Sequence, residues 1–323
     1  MNVLVTGGAG YIGSHMVNLL NQNDCIVTTL DDLSTGFRDS VLAGTFIEGS
    51  LLDTCLLNKI FSENKFDVVI HFAGSISVGE SVSCPSKYYS NNFVGSLNLL
   101  DSMIKNGVSK LVFSSTAAVF GNPEYVPIDE NHPKSPINPY GQTKMMFERV
   151  LQDYEKSYGL RSVVLRYFNA SGADPNGFLG ERHNPETHLI PLALRATNPL
   201  APKLTIFGND YDTNDGTCIR DYVHVIDLCE AHLLAIDHLN SGGESRQYNL
   251  GNGQGASVIE VIQMVERITK SKVHVVYGPK RGGDPSVLVA DSSAIQREWN
   301  WSRKYSLEDI VRHAWQWECR VQI

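Results

Sequence analysis

The chain has 323 residues, 42% of them hydrophobic, enough to bury the core of one large or two ordinary domains. Its formal net charge of −8 disfavours a general nucleic-acid binder, which needs an excess of cations to displace counterions, so any anionic ligand has to be met by cations gathered locally. The first Lys or Arg is Arg38, which leaves no basic n-region for a signal peptide, and no apolar run approaches ~18 residues; the expectation is a cytoplasmic enzyme without a membrane partner.

Short β-branched runs alternate with amphipathic stretches through the first half. Val3-Leu4-Val5 precedes a helical stretch at 14–22, and a second strand runs from Ile26 to Leu30. Asp67 to His71 precedes 85–106, Lys110 to Ser114 precedes 141–157, and Arg161 to Arg166 follows. Repeated βα units predict an α/β fold with a doubly wound parallel sheet, whose strands are buried on both faces and so read as continuous apolar runs such as Val68-Val69-Ile70. Prolines 123, 127, 133, 136 and 139 deny a long helix between Gly121 and Pro139. Beyond residue 168 the pattern loosens, and Asn-, Gly- and Pro-rich loops predict a smaller C-terminal α/β substrate domain at 169–323 after a first domain at 1–168, with some segments crossing back. Ser257-Val-Ile-Glu260 and Ser306-Leu-Glu-Asp309 read as capping boxes opening two late helices.

The six cysteines contain no Cys-x-x-Cys pair and are expected to be reduced packing residues. His183 with His188, or His224 with His232 and His238, lacks zinc-type ligand spacing; these are expected to be surface or core side chains, with no metal.

Thr6-Gly7-Gly8-Ala9-Gly10-Tyr11-Ile12-Gly13 follows a strand and opens a helix. Glycines there allow a tight turn, close approach to a pyrophosphate and close packing of helix on strand, while the helix N-terminus offers amides and a positive dipole. A lone glycine triplet is as often a structural turn. Here Asp31 stands 18 residues after Gly13 at the end of the second strand, where a ribose-binding carboxylate belongs in a Rossmann-type fold. Asp31-Asp32 repels a 2′-phosphate and no Arg adjoins it, which favours NAD over NADP; Asp32 itself reads as a solvated loop acid.

Tyr140-Gly-Gln-Thr-Lys144 places a phenol and an ammonium four residues apart on one helix face, a spacing that also occurs freely on ordinary helices. Together with the glycine fingerprint, His71-Phe72-Ala73-Gly74, Asn91 and Ser115-Thr116, all in order, it resembles the extended short-chain dehydrogenase/reductase family. Oxidising a sugar carbinol needs a base for the O–H proton. A Tyr of ordinary pKa ~10 is too protonated near neutrality, and nearby cations favour its phenolate. Tyr140 is therefore the expected base, Thr116 a partner on the same sugar oxygen, and Lys144 the cation. The resemblance implies that Lys144 also holds the nicotinamide ribose, and that Gly7, Gly10, Tyr11, Ile12, Gly13, Asp31, Leu51, Phe72, Ala73 and Asn91 meet the cofactor.

Longer segments, among them Leu165-Arg166-Tyr167-Phe168-Asn169, Ile206-Phe207-Gly208-Asn209-Asp210-Tyr211 and Arg220-Asp221-Tyr222-Val223-His224, resemble the UDP-glucose 4-epimerases over essentially the whole chain. That resemblance implies reversible C4 epimerisation of UDP-glucose and UDP-galactose through a 4-keto sugar and retained NAD. It assigns Asn169, Arg220, Arg281 and Asp284 to UDP, Phe207 to uracil and Leu288 to the hexose pocket, in a homodimer. For Leu288, simple core packing beside Val287 and Val289 is an equal alternative. Two positions depart from the pattern. Ser75-Ile76-Ser77 stands where some relatives place a Lys, and Ser50 where an Asp commonly contacts adenine. The rival activities are C4 epimerisation of UDP-N-acetylglucosamine, UDP-glucuronate or UDP-xylose, and a non-catalytic NAD-sensing protein. A 4,6-dehydratase is disfavoured because Ala117-Ala118, not Asp-Glu, follows Thr116.

Overall fold

The computed structural model describes residues 1–281 and 284–321, so Gly282 and Gly283 of the Arg281-to-Asp284 motif and the last two residues of the expected second domain lie outside the described residues. The chain divides into two compact units. The first contains Met1–Gly121, Pro133–Arg166 and Cys229–Tyr248; the second contains Asn122–His132, Tyr167–Leu228 and Asn249–Ile323. Two segments thus cross the expected boundary at 168/169, because the helix and strand at 225–250 complete the first sheet after the chain has already built part of the second unit.

The chain begins with β1 (Asn2–Thr6), α1 (Tyr11–Gln22), β2 (Ile26–Asp31), β3 (Thr45–Glu48), α2 (Thr54–Glu63) and β4 (Val68–His71). Short helices α3 (Val78–Ser83) and α4 (Pro85–Tyr88) lead through a π-helical turn, Tyr89–Val94, into α5 (Gly95–Lys105). Then come β5 (Lys110–Thr116), α6 (Pro139–Tyr158) and β6 (Arg161–Tyr167). In the second unit β7 (Asn169–Ser171), α7 (Leu189–Arg195), β8 (Leu204–Phe207) and β9 (Ile219–His224) precede α8 (Val225–Asn240) and β10 (Arg246–Leu250). The chain finishes with β11 (Gly255–Ser257), α9 (Val258–Thr269), β12 (Val275–Gly278), β13 (Val287–Leu288), α10 (Ser293–Trp299) and α11 (Leu307–Val321). No helix among the described residues is long and apolar enough to cross a membrane.

The first unit is built on a seven-stranded sheet of order β10-β6-β5-β4-β1-β2-β3. Val3 pairs with both Val27 and Val68 in parallel register, and Val3, Leu4 and Val5 are fully buried, as strands covered on both faces require. Strand order reverses between β1 and β4, the switch point at which an open α/β sheet leaves a crevice beyond its carboxyl ends. The expected strands and the helices at 14–22 and 141–157 are present. The stretch 85–106 is three pieces, because the π turn interrupts it. The short edge strand β3 and helix α2 were not among the expected elements; Thr45-Phe-Ile-Glu48 is too short and too exposed to show periodicity.

Helix α6 is defined at both ends. The Asn138 side chain accepts from the Gly141 amide at 2.8 Å, Pro139 fills the first turn, and Gly159 closes the helix at φ 71°. These caps fix Tyr140 in the first turn and Lys144 one turn later. The second unit pairs β9 with β7 and β13 in parallel and with β11 antiparallel, beside a two-stranded β8–β12 sheet. Its core gathers Ile190, Leu194, Leu204, Ile206, Val261 and Ile310. Both late helices open with reciprocal caps. Ser257 Oγ accepts from the Glu260 amide while Glu260 Oε2 accepts from Ser257 N, and Ser306 with Asp309 repeats the pattern.

Candidate active site

The glycine turn between β1 and α1 is tied down from several directions. Gly7 donates to Leu30 O at 2.8 Å and has φ +74°; a Cβ there would lie 2.5 Å from the Ala73 amide nitrogen. A Cβ on Gly13 would lie 2.1 Å from Gly7 O, so internal packing by itself already requires glycine at these two positions. Gly10 differs. A Cβ there would touch only Gly7 O, at an ordinary 3.4 Å, so the fold itself does not require a bare backbone at the first-turn entrance of α1. The amides of a helix's first turn have no partner within the helix, and a bare cradle in front of them suits an anion. Tyr11 and Ile12 supply that first turn. Asp31 is buried at the end of β2 and accepts from the amides of Ala9 and Leu33, each at 2.9 Å. Burial raises its pKa, and the two backbone amides oppose the rise. Asp32 is exposed and caps Ser34, as a loop acid would.

Phe72, Ala73 and Gly74 form a strip leading from this turn toward α6. The Phe72 and Ala73 amides both donate to Thr6 O, and a Cβ on Gly74 would lie 3.7 Å from Lys144 Nζ. Buried Asn92 holds the next residue by its whole peptide unit, accepting from Ser75 N at 2.7 Å and donating to Ser75 O at 2.9 Å. Asn91 Nδ2 donates to Ser75 Oγ. Sequence reading named Asn91 and passed over Asn92; their adjacency in the Tyr88-Tyr-Ser-Asn-Asn92 run was the available signal. Leu51 is packed in the core, and its carbonyl accepts from Asn98, so its backbone and not its side chain is what a ligand could meet. At the departing positions, Ile76 is exposed and Ser50 caps Leu52.

Thr116 ends β5, and its Oγ1 accepts from the Ala118 amide at 3.1 Å. Burial pushes the Tyr140 phenol up, while a hydrogen bond from Thr116 favours its ionised form. Lys144 is not the phenol's partner in the protein alone. Its ammonium donates to Ser114 O at 2.8 Å and stands 4.8 Å from the Phe113 ring centroid, and burial lowers its pKa to about 8. The chain thus holds Lys144 charged at neutral pH, with its charge spent first on the strand end.

One turn after Lys144, buried Glu148 binds Arg166 through Nε at 2.8 Å and Nη2 at 2.9 Å, Ser115 Oγ at 2.7 Å and Lys134 Nζ at 2.7 Å. This network ties α6 to the ends of β5 and β6. Sequence reading missed it, although an Arg within the apolar run Val163-Val-Leu-Arg166 signalled a buried charge needing a partner. His71 is neutral, its pKa lowered to about 3 by burial and by Lys144. Ser96 spends its proton on Asn92 O, so His71 Nε2–H donates to Ser96 Oγ and Thr6 Oγ1 donates to Nδ1.

In the second unit, Arg220 and Leu288 are register partners on β9 and β13 and leave the same face of the sheet. Arg220 forms an ion pair with Asp284 and donates to Ile219 O, so Asp284 orients the guanidinium. Exposed Arg281 stacks 4.0 Å from the centroid of the half-exposed Phe207 ring. Half-buried Asn169 opens β7, beside Tyr222 of β9. Leu288 is only half-buried, unlike Val289, which packs in the interior.

The sequence matches the NAD dependent epimerase/dehydratase family over residues 3–251. It is 48% identical over 318 residues to a curated UDP-glucose 4-epimerase of Halalkalibacterium halodurans, covering 98% of this chain and 95% of that protein. The crystal structure of UDP-glucose 4-epimerase from Brucella ovis in complex with NAD matches with a TM-score of 0.95 at 46% identity, covering 97% of each chain. That of UDP-glucose 4-epimerase from Bifidobacterium longum in complex with NAD+ and UDP matches with a TM-score of 0.94 at 36% identity, covering 99% of this chain and 98% of that one. With its glycine turn, its Tyr140–Lys144 helix and near full-length identity to these proteins, the chain belongs to the NAD dependent epimerase/dehydratase family, on its UDP-glucose 4-epimerase branch.

Proposed function

We propose that this enzyme interconverts UDP-glucose and UDP-galactose by reversible inversion at C4, using NAD that it retains through each cycle. The observation that supports the reading is half-buried Tyr140 in the capped first turn of α6, with Lys144 one helical turn later bonded to the end of β5 where Thr116 stands, and Phe72-Ala73-Gly74 leading there from a glycine cradle. The cradle fits a dinucleotide. Gly10 leaves space that packing does not require, the first turn of α1 offers amides, and Asp31 stands at the adjacent strand end. When bound, NAD would supply the two-electron acceptor and donor that inversion at C4 needs.

Tyr140 Oη takes the proton of the 4-hydroxyl and gives it back after the ketose has turned. Thr116 donates to Tyr140 Oη when that oxygen is charged and shares the sugar oxygen. Lys144 stays charged near neutrality and would hold a ribose hydroxyl of the cofactor. Arg220, oriented by Asp284, meets the diphosphate together with Arg281 and Asn169, and Phe207 offers an aromatic face to uracil. Charged groups are concentrated on the nucleotide and few are directed to the hexose, so binding energy anchors UDP while the 4-ketose is free to rotate. Because Leu288 is half-buried beside Arg220, a larger UDP-sugar is the second reading. The working form is a cytoplasmic homodimer.

The test uses purified chain with UDP-galactose and no added cofactor. Appearance of UDP-glucose, with NAD as the nucleotide released on denaturation, supports the reading. No conversion, or NADP as the main released species, overturns it.

A further inference from the structure

The structure assigns a divalent cation site, best suited to zinc, to Glu181, His183, Glu186 and His188 in the segment between β7 and α7. The spacing Glu-x-His-x-x-Glu-x-His lies on no single helix, and both histidines read from sequence as surface or core side chains; only the path of the loop brings the four together. One ligand atom from each residue lies within 4.8 Å of all the others. His183 Nδ1 is 3.5 Å from Glu181 Oε1 and from Glu186 Oε2, and His188 Nδ1 contacts Glu181 Oε1 more closely still.

Three features favour a cation over a chance cluster. The first is burial. The Glu181 and Glu186 side chains are 5% and 2% exposed and face the ring nitrogens of His183 and His188, so two buried carboxylates need positive charge among them, carried either by a protonated imidazole or by a cation in its place. The second is the surrounding support. Glu186 Oε1 accepts from the amides of Thr187 at 2.8 Å and His188 at 2.9 Å, which turns Oε2 toward the cluster, and Trp317 Nε1 donates to Glu181 O at 3.0 Å. The third is stoichiometry. Two imidazole nitrogens and two carboxylate oxygens make a four-coordinate set whose two negative charges balance a dication, and with all four ligands from protein the site is closed, as structural zinc sites are. Such a site would staple residues 172–188, which have almost no regular secondary structure, to α7 and α11.

The experiment measures metal content of the tag-free full chain after equilibration with zinc chloride and removal of free metal. About one zinc per chain is expected in wild type, with loss of that equivalent in the double variant His183→Gln/His188→Gln and in Glu186→Gln. Zinc is also expected to raise the melting temperature of wild type and leave both variants unmoved. Glu186→Gln changes one atom and keeps the reading testable should the double variant fail to fold. Wild type that takes up no zinc overturns the proposal, and the cluster is then held by protons shared between His and Glu. Equal zinc in wild type and variants also overturns it, and places the metal on exposed Cys55, Cys84 or Cys319.

Discussion

Tyr140 is subject to opposing demands. Burial holds its proton on, Thr116 favours its release, and Lys144, bonded to Ser114 O, does not reach across to settle the matter. In the proposed mechanism the remaining charge would come from oxidised nicotinamide, which would couple deprotonation to the presence of cofactor in the right redox state. Tyr140→Phe removes only the titrating oxygen. It is expected to fold, keep NAD and lose roughly 10²- to 10⁴-fold in kcat, the range spanned by general acid–base catalysis. A variant with near wild-type kcat removes Tyr140 from the base's role. Leu288 poses a question of size. It shares a face with Arg220 and is half-buried, so Leu288→Ser is expected to raise kcat/KM for UDP-N-acetylglucosamine relative to UDP-galactose by about 10-fold, the scale of a few methylenes in a pocket. An unchanged ratio would make Leu288 a packing residue.

Elements turn these side chains into a site. In the turn before α1 the three glycines are not equivalent, and the difference is measurable. Gly13→Ala drives a Cβ into Gly7 O and is expected to destabilise the fold by several kcal/mol, whereas Gly10→Ala meets no more than an ordinary contact. Gly10→Ala is therefore expected to leave the denaturant midpoint of the cofactor-stripped chain nearly unchanged while weakening NAD binding about 10-fold or more by titration calorimetry. Equal loss of stability in both variants contradicts the cradle. Helix α6 depends on Glu148 in a similar way. Burial pushes that carboxyl up, but Arg166 and Lys134 outweigh it and hold it below the usual range. A depressed carboxylate stabilises the fold above its unfolded pKa, ~4.3, and that contribution is lost as pH falls through the folded value. Glu148→Gln leaves Arg166 buried with its main counter-charge gone. Urea unfolding is expected to show a loss of about 3–5 kcal/mol at pH 7, and the gap between variant and wild type is expected to narrow below pH ~4. A gap independent of pH would mean that shape, not charge, is what Glu148 supplies.

At the scale of the molecule, a chain of net charge −8 has to bind two ligands that each carry a diphosphate. In the proposed reading it does so by local means, helix amides in the first unit and Arg220 with Arg281 in the second. The homodimer is expected to use the outer faces of the helices between 85 and 106 and of α6, where Tyr89 and Val94 leave apolar surface exposed. Light scattering on the eluting protein is expected to give twice 35.7 kDa, and Val94→Glu is expected to shift it toward monomer. A wild-type chain that elutes at monomer mass removes the dimer.

Much of the first unit was legible in the residue order because its signals are local. Parallel strands buried on both faces have to be apolar throughout, a dinucleotide turn has to be glycine, and Tyr140 and Lys144 four apart have to share a helix face. Caps were equally readable at Ser257 and Ser306, since each bond spans three residues. What the tertiary structure decided are the pairings made by residues distant in sequence. Arg166 finds Glu148 on another element, Asn92 finds Ser75, and β10 joins a sheet begun more than two hundred residues earlier. The four residues from Glu181 to His188 are the limiting case. They are neighbours in the chain, yet no helical or strand period brings their ligand atoms together, and only an irregular loop, anchored by backbone amides and Trp317, turns four unremarkable polar residues toward one point.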